Sequence, residues 1–172
     1  MKLLVLSDSH RHIDRMRYAT EQTNPDVILH LGDNISDVQE LRRQFPDITF
    51  YMVKGNGDFQ AHGETELLIT LDGVKIYMTH GHIYRVKNGL YSFTEASRIK
   101  GADLALYGKP QHLANFIPMV ISMVNVHDND EIIPSVKLRL TFMEEYRDAD
   151  DSEYVLPLKG LEIIANWRLP NG

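Results

Sequence analysis

Four short apolar runs in the first half of this chain each stop at a polar turn, and that repetition restricts the fold more than any other feature. Leu3 to Ser7 leads into Asp8-Ser9-His10, and Val27 to Leu31 into Gly32-Asp33-Asn34. Thr49 to Val53 leads into Lys54-Gly55-Asn56-Gly57-Asp58, and Val74 to Thr79 into His80-Gly81-His82. Runs of this length bounded by turn residues read as buried strands. The segments between the first three have a different period. Ile13, Met16 and Ala19 fall at helical spacing within Ile13 to Thr23, and Asn24-Pro25 supplies a stop. Ser36 is placed to cap a second helix running to about Phe45, with Val38, Leu41 and Phe45 on one face and Pro46 beyond it. Strand alternating with helix predicts βαβ units.

Leu67 to Leu71 and Val74 to Thr79 flank Asp72-Gly73, a pair suited to a type I′ turn, so an antiparallel hairpin is expected here. A helix over Leu90 to Lys100 and a strand over Asp103 to Tyr107 restore the earlier rhythm. Farther on, Val136 to Phe142 alternates as a strand, and Glu144 to Glu153 reads as a solvated acidic loop. The expected architecture is α/β, with mixed β-sheets flanked by helices in one domain over residues 1–172.

That length buries a substantial core without covalent staples. The chain has no cysteine, which removes disulfides, thiolate zinc sites and cysteine nucleophiles together. A formal net charge of -6 argues against a surface that collects nucleic-acid backbone, and no nucleic-acid partner is expected. Asp8 interrupts the first apolar run too early for a signal peptide or membrane span, so a cytoplasmic protein without a membrane partner is expected. A small phosphorylated substrate remains compatible with the acidic balance if metal cations supply local positive charge.

The strand ends are where open α/β sheets hold their ligands. Here they offer carboxylate, imidazole and amide oxygen, a donor set suited to Mn²⁺, Fe, Zn²⁺ or Mg²⁺. Each motif alone has a plainer reading. Asp8 could be a helix cap, Gly32-Asp33 a turn, and Gly55-Asn56-Gly57-Asp58 a loop. His30 lies within a strand and reads as packed; His62 reads as solvent-facing.

Taken in order, Asp8-x-His10, Gly32-Asp33, Gly55-Asn56-x-Asp58 and Thr79-His80-Gly81-His82 resemble the calcineurin-like metallophosphoesterases, especially the small YfcE-type bacterial phosphodiesterases. The resemblance covers residues 1–108. It implies two divalent ions, with Mn²⁺ expected and Mg²⁺, Fe, Ni or Zn as alternatives. Asp8 and His10 would hold the first, Asp33 would bridge both, and Asn56 and His80 would hold the second. It further implies hydrolysis of a small phosphodiester through a bridging hydroxide, with Asp33 orienting the attack and Asn34 and Asn56 meeting the substrate.

Two departures stand out. Where the family has Gly-His-x-His, this chain has Gly108-Lys109-Pro110-Gln111-His112, so His112 is the remaining candidate ligand and Lys109 stands in place of the other. Gly57 occupies the position of the usual proton-donating His, which leaves His82 as the candidate proton donor or phosphate contact. The alternative is a catalytically impaired scaffold of the same fold that binds a protein partner. Homo-oligomerisation is left open.

Overall fold

Leu3 and Val5 face one way from the first strand while Leu4 and Leu6 face the other, and all four side chains are buried. A strand apolar on both faces must be covered on both. The computed structural model shows how, describing residues 1–108 and the strands 119–128, 131–140, 153–157 and 163–166.

In chain order these are β1 (Lys2–Leu6), α1 (Ile13–Thr23), β2 (Val27–His30), α2 (Ile35–Gln44), β3 (Thr49–Met52), β4 (Glu66–Leu71) and β5 (Val74–Thr79). A short 3-10 helix (His82–Tyr84), α3 (Tyr91–Ile99) and β6 (Leu104–Tyr107) follow. The last four strands are β7 (Met119–Asp128), β8 (Glu131–Leu140), β9 (Glu153–Pro157) and β10 (Ile163–Asn166). They form a six-stranded sheet in the order β3-β2-β1-β7-β8-β9 and a four-stranded sheet in the order β10-β6-β5-β4. β1, β2 and β3 are parallel, and β7 runs antiparallel to β1. In the other sheet β10, β6 and β5 are parallel, and β4 closes the edge antiparallel to β5.

The two sheets share one core. Leu3, Val5, Val27 and Leu29 from the first meet Val74, Ile76, Met78, Leu104 and Leu106 from the second. The outer face of the first sheet is covered by α1 and α2, through Met16, Ala19, Val38 and Leu41 packed on Leu4, Leu6 and Ile28. On the outer face of the second, Phe93 of α3 packs on Tyr77, Ala105 and Tyr107. Each fully buried aliphatic side chain contributes about 1.5–3 kcal/mol of transfer free energy, so the layers hold one another through their apolar faces.

Most expected elements stand within a residue or two of their places. α1 runs over the expected residues and ends where Asn24 turns left-handed (φ 43°), ahead of Pro25. The hairpin turn has positive φ at both Asp72 (52°) and Gly73 (80°), as type I′ requires. α2 departs from expectation at its start. Its cap is Asn34, not Ser36, because a carboxylate from another loop takes up the first backbone N–H groups. The strand expected at Val136 to Phe142 overlaps β8, while the acidic stretch before Glu153 lies outside the described residues. No described helix is long and apolar enough to cross a membrane.

Candidate metal centre

The carboxyl ends of β1, β2, β3 and β5 point to one region, and the chain leaves them in unusual conformations. Asp8 (φ 54°), His10 (42°), Arg11 (68°), Asp33 (61°) and Asn34 (69°) all lie in the left-handed region. Such residues each cost energy and persist only where the surroundings hold them, and they cluster at working sites. Asp and Asn tolerate this conformation best among residues with a Cβ.

The turns lie against one another. A Cβ on Gly55 would sit 2.0 Å from Asp33 Oδ1, so only glycine lets the third turn approach the second this closely. Gly32 is confined twice over, by its φ of 101° and by a distance of 2.6 Å from a would-be Cβ to the backbone nitrogen of Gly55.

Within this packing Asp8, Asp33 and His80 converge, each offering one ligand atom, all within 4.8 Å of one another. His80 is fully buried and donates from Nδ1 to the Leu31 carbonyl at 2.8 Å. That bond assigns the proton to Nδ1 and leaves the lone pair on Nε2. Nε2 is buried without a hydrogen-bond partner among the described residues and lies 3.5 Å from Asp33 Oδ2. Asp33 Oδ1 accepts the Gly57 N–H at 2.8 Å, which fixes the carboxylate. Asp8 is oriented by the Ser7 hydroxyl. Burial pushes the Asp8 carboxyl above its ordinary 3.8; the Ser7 hydrogen bond opposes this, as do His80 and His10, while the Asp33 charge reinforces it.

A buried imidazole lone pair beside two carboxylates, one with its ionised form disfavoured, fits a divalent cation. The ion would supply the missing positive charge and partner Nε2. The residues therefore suit the metal that the strand ends suggested.

The other expected residues stand at graded distances from this cluster. His10 is exposed, with Nε2 at 3.9 Å from Asp8 Oδ1. Asn56 is exposed on the turn that also presents the Gly57 N–H to Asp33. Asn34 is half-buried beside Asp33. The His82 ring lies 5.6 Å from that of His80. Burial holds the His82 pKa below the ordinary 6.5, helped by His80 and opposed by Asp33 and Asp58, and its Nδ1 has no hydrogen-bond partner among the described residues. Lys109 and His112 lie outside the described residues.

Asp58 matters more than a loop residue would. Its Oδ2 accepts the N–H groups of Asp33 at 2.8 Å and Gly55 at 2.9 Å, and its Oδ1 those of Asn34 at 2.9 Å and Ile35 at 3.0 Å. One buried carboxylate thus caps α2 and ties the second turn to the third. Asp37 does similar work for the first turn, accepting the Ser9 hydroxyl and the Arg11 N–H, each at 2.7 Å. The signal for Asp58 was its place closing the Gly55-Asn56-Gly57-Asp58 turn; Asp37 carried none. His30 is packed as expected, accepting the Gly32 N–H on Nδ1.

Residues 1–116 match the calcineurin-like phosphoesterase superfamily domain. The chain is 32% identical over 117 residues to the probable metallophosphoesterase YsnB of Bacillus subtilis strain 168, covering 66% of each protein. It is 37% identical over 83 residues to a probable metallophosphoesterase of Mycoplasma pneumoniae, covering 47% of each. The matches thus span two thirds or less of these relatives.

Two solved structures share the fold. One, from Streptococcus pneumoniae TIGR4, is a conserved uncharacterized protein described as a predicted phosphoesterase, with TM-score 0.61 and 18% identity over 91% of this chain and 97% of that one. The other is wild-type Vps29 complexed with zinc from Entamoeba histolytica, with TM-score 0.57 and 14% identity over 92% and 99% of the two chains. With its domain matched over residues 1–116, the chain belongs to the calcineurin-like phosphoesterase superfamily.

Proposed function

We propose that this protein is a divalent-metal-dependent phosphodiesterase. The convergence of Asp8, Asp33 and His80 around a buried Nε2 with no hydrogen-bond partner among the described residues carries the reading. These three residues would hold the metal together with His10, Asn56 and His112, in a dinuclear arrangement bridged by Asp33, and Mn²⁺ is the expected ion. Divalent ions there would supply Lewis acidity, lowering the pKa of water and offsetting charge on the phosphoryl oxygens.

The chain's own groups do the rest. The Gly57 N–H holds the Asp33 carboxylate in place, and the Leu31 carbonyl holds the His80 ring with Nε2 inward. Asn34 and Asn56 contact the phosphate. In the net reaction a water oxygen bonds to phosphorus and the bond from phosphorus to one ester oxygen breaks, giving a monoester and an alcohol. His82, with its lowered pKa, is neutral at pH 7 and serves as a hydrogen-bond donor to phosphate more readily than as a source of a full proton. With Gly57 where the family's proton donor stands, activated diesters with good leaving groups are the favoured substrates.

The test is hydrolysis of bis-p-nitrophenyl phosphate and p-nitrophenyl phosphate by metal-free protein as Mn²⁺ is added. Diester turnover that rises with bound metal and exceeds monoester turnover is expected. Preference for the monoester would overturn the diesterase assignment. Gly57 favours a second reading, a partner-binding scaffold with little chemistry. Metal binding without turnover of either ester would support it.

A further inference from the structure

Along the segment that follows His82 lies an open cleft of about 520 Å³, within the size range of small-molecule sites. Ile83, Tyr84, Arg85, Asn88, Tyr91 and Ser92 line it. Its lining begins close to the site along the chain: the 3-10 helix starts at His82, and Ile83 follows His80 by three residues. Three residues span at most about 11 Å, so the wall begins within reach of an ester arm of a phosphate held at His80.

That wall is braced. The Tyr84 hydroxyl lies 2.7 Å from that of Tyr77, and both share the Glu66 carboxylate, which also meets Lys100 at 2.8 Å. Tyr84 also packs on Phe93 with ring centroids 6.0 Å apart. By contrast, the groups facing the opening are uncommitted. Tyr91 is 80% exposed and Ile83 45% exposed. Arg85 is exposed and has no ion-pair partner among the described residues, although acidic groups outnumber basic ones in this chain by 24 to 18. Flat aromatic and apolar surfaces beside a free guanidinium suit a planar ring bearing hydrogen-bond acceptors.

Resting on the diesterase reading above, we propose that this cleft selects the substrate by receiving its second ester arm. That arm carries an acceptor-rich planar ring of nucleoside size. The ring lies against Tyr91 and Ile83, and Arg85 binds its acceptors. Arg85 and Tyr91 are then specificity residues rather than catalytic ones, acting on KM more than on kcat.

Thymidine 5′-(p-nitrophenyl) phosphate and methyl p-nitrophenyl phosphate share a leaving group and differ in the other arm. With Mn²⁺-loaded protein, kcat/KM should favour the thymidine ester, and Arg85→Ala and Tyr91→Ala should each lower that preference about tenfold, through KM. Lys87→Ala, which removes a charge from the same loop outside the cleft, should leave the preference unchanged. An equal preference in wild type and both cleft variants would overturn the proposal. If wild type cleaves neither ester, the diesterase reading fails by itself, and the cleft is judged by calorimetric binding of thymidine 5′-monophosphate. Binding lost in Arg85→Ala would then support the cleft, and no binding would overturn it.

Discussion

β5 runs past two polar clusters that differ in a single respect. Around Tyr77, the Glu66 carboxylate receives the Tyr77 and Tyr84 hydroxyls and the Lys100 ammonium, so its charge is answered from within the chain. Burial alone would raise its pKa, but those hydrogen bonds prevail and hold it at about 2. Just beyond the end of the same strand, His80 Nε2 has no hydrogen-bond partner among the described residues, and Asp8 is pushed above its ordinary value. A self-neutralised cluster explains itself as architecture. One that gathers two carboxylates and an imidazole lone pair without a cation asks for something from outside. The difference predicts that the first cluster responds to pH and the second to metal.

The largest effect should follow Asp33→Asn, which keeps a residue tolerant of the left-handed conformation but removes the charge. Mn²⁺ affinity and Mn²⁺-dependent hydrolysis should each fall at least about a hundredfold, since even outer ligands of a metal site cost 10–100-fold. The metal-free protein should melt no lower than wild type. Unchanged metal affinity would break the contrast between the clusters.

Asp58→Ala comes next. It strips the partner from four backbone N–H groups, so a loss of about 2–4 kcal/mol in chemical denaturation is expected. Weaker Mn²⁺ binding should accompany it, because the same carboxylate ties the turns carrying Asp33 and Asn56.

Glu66→Gln should cost about 1 kcal/mol at pH 7, the half-exposed setting screening the ion pair. Because the folded pKa is depressed, that contribution is complete above the ordinary 4.5 and disappears as pH falls from there to about 2. Wild type and variant should thus converge in stability across that window. Metal affinity should not change; a shift in it would show that the two clusters are coupled.

The smallest effect is expected from Asp8→Asn without metal. A carboxylate with a raised folded pKa weakens the fold wherever it is ionised, so removing the charge should raise the metal-free melting temperature by about 1–3 °C at pH 7. Added Mn²⁺ should then stabilise the variant less than wild type.

The parts of this molecule that local chemistry controls were readable from its residues. α1 is bounded by its own period and by Asn24-Pro25, the β4–β5 turn by Asp72-Gly73, and the turns carrying the candidate ligands by the strands that end at them. What depended on distant contacts was not. Ser36 looked like the cap of α2 because the group that meets its first N–H groups, Asp58, lies more than twenty residues away in sequence. The alternation of β1 revealed two covered faces, but not that the hairpin belongs to a second sheet packed against the first. Asp8, Asp33 and His80 could be named as candidate ligands by type and position. Their closeness, with His10 set outside the tight group, depends on left-handed turns that only packing enforces.

The central claim is that the β1, β2 and β5 ends form a metal centre, and calorimetric titration of Mn²⁺ into metal-free wild-type protein tests it most directly. The account predicts saturable binding that raises the melting temperature and is lost in Asp33→Asn. Absence of saturable binding in the folded wild-type protein would contradict it.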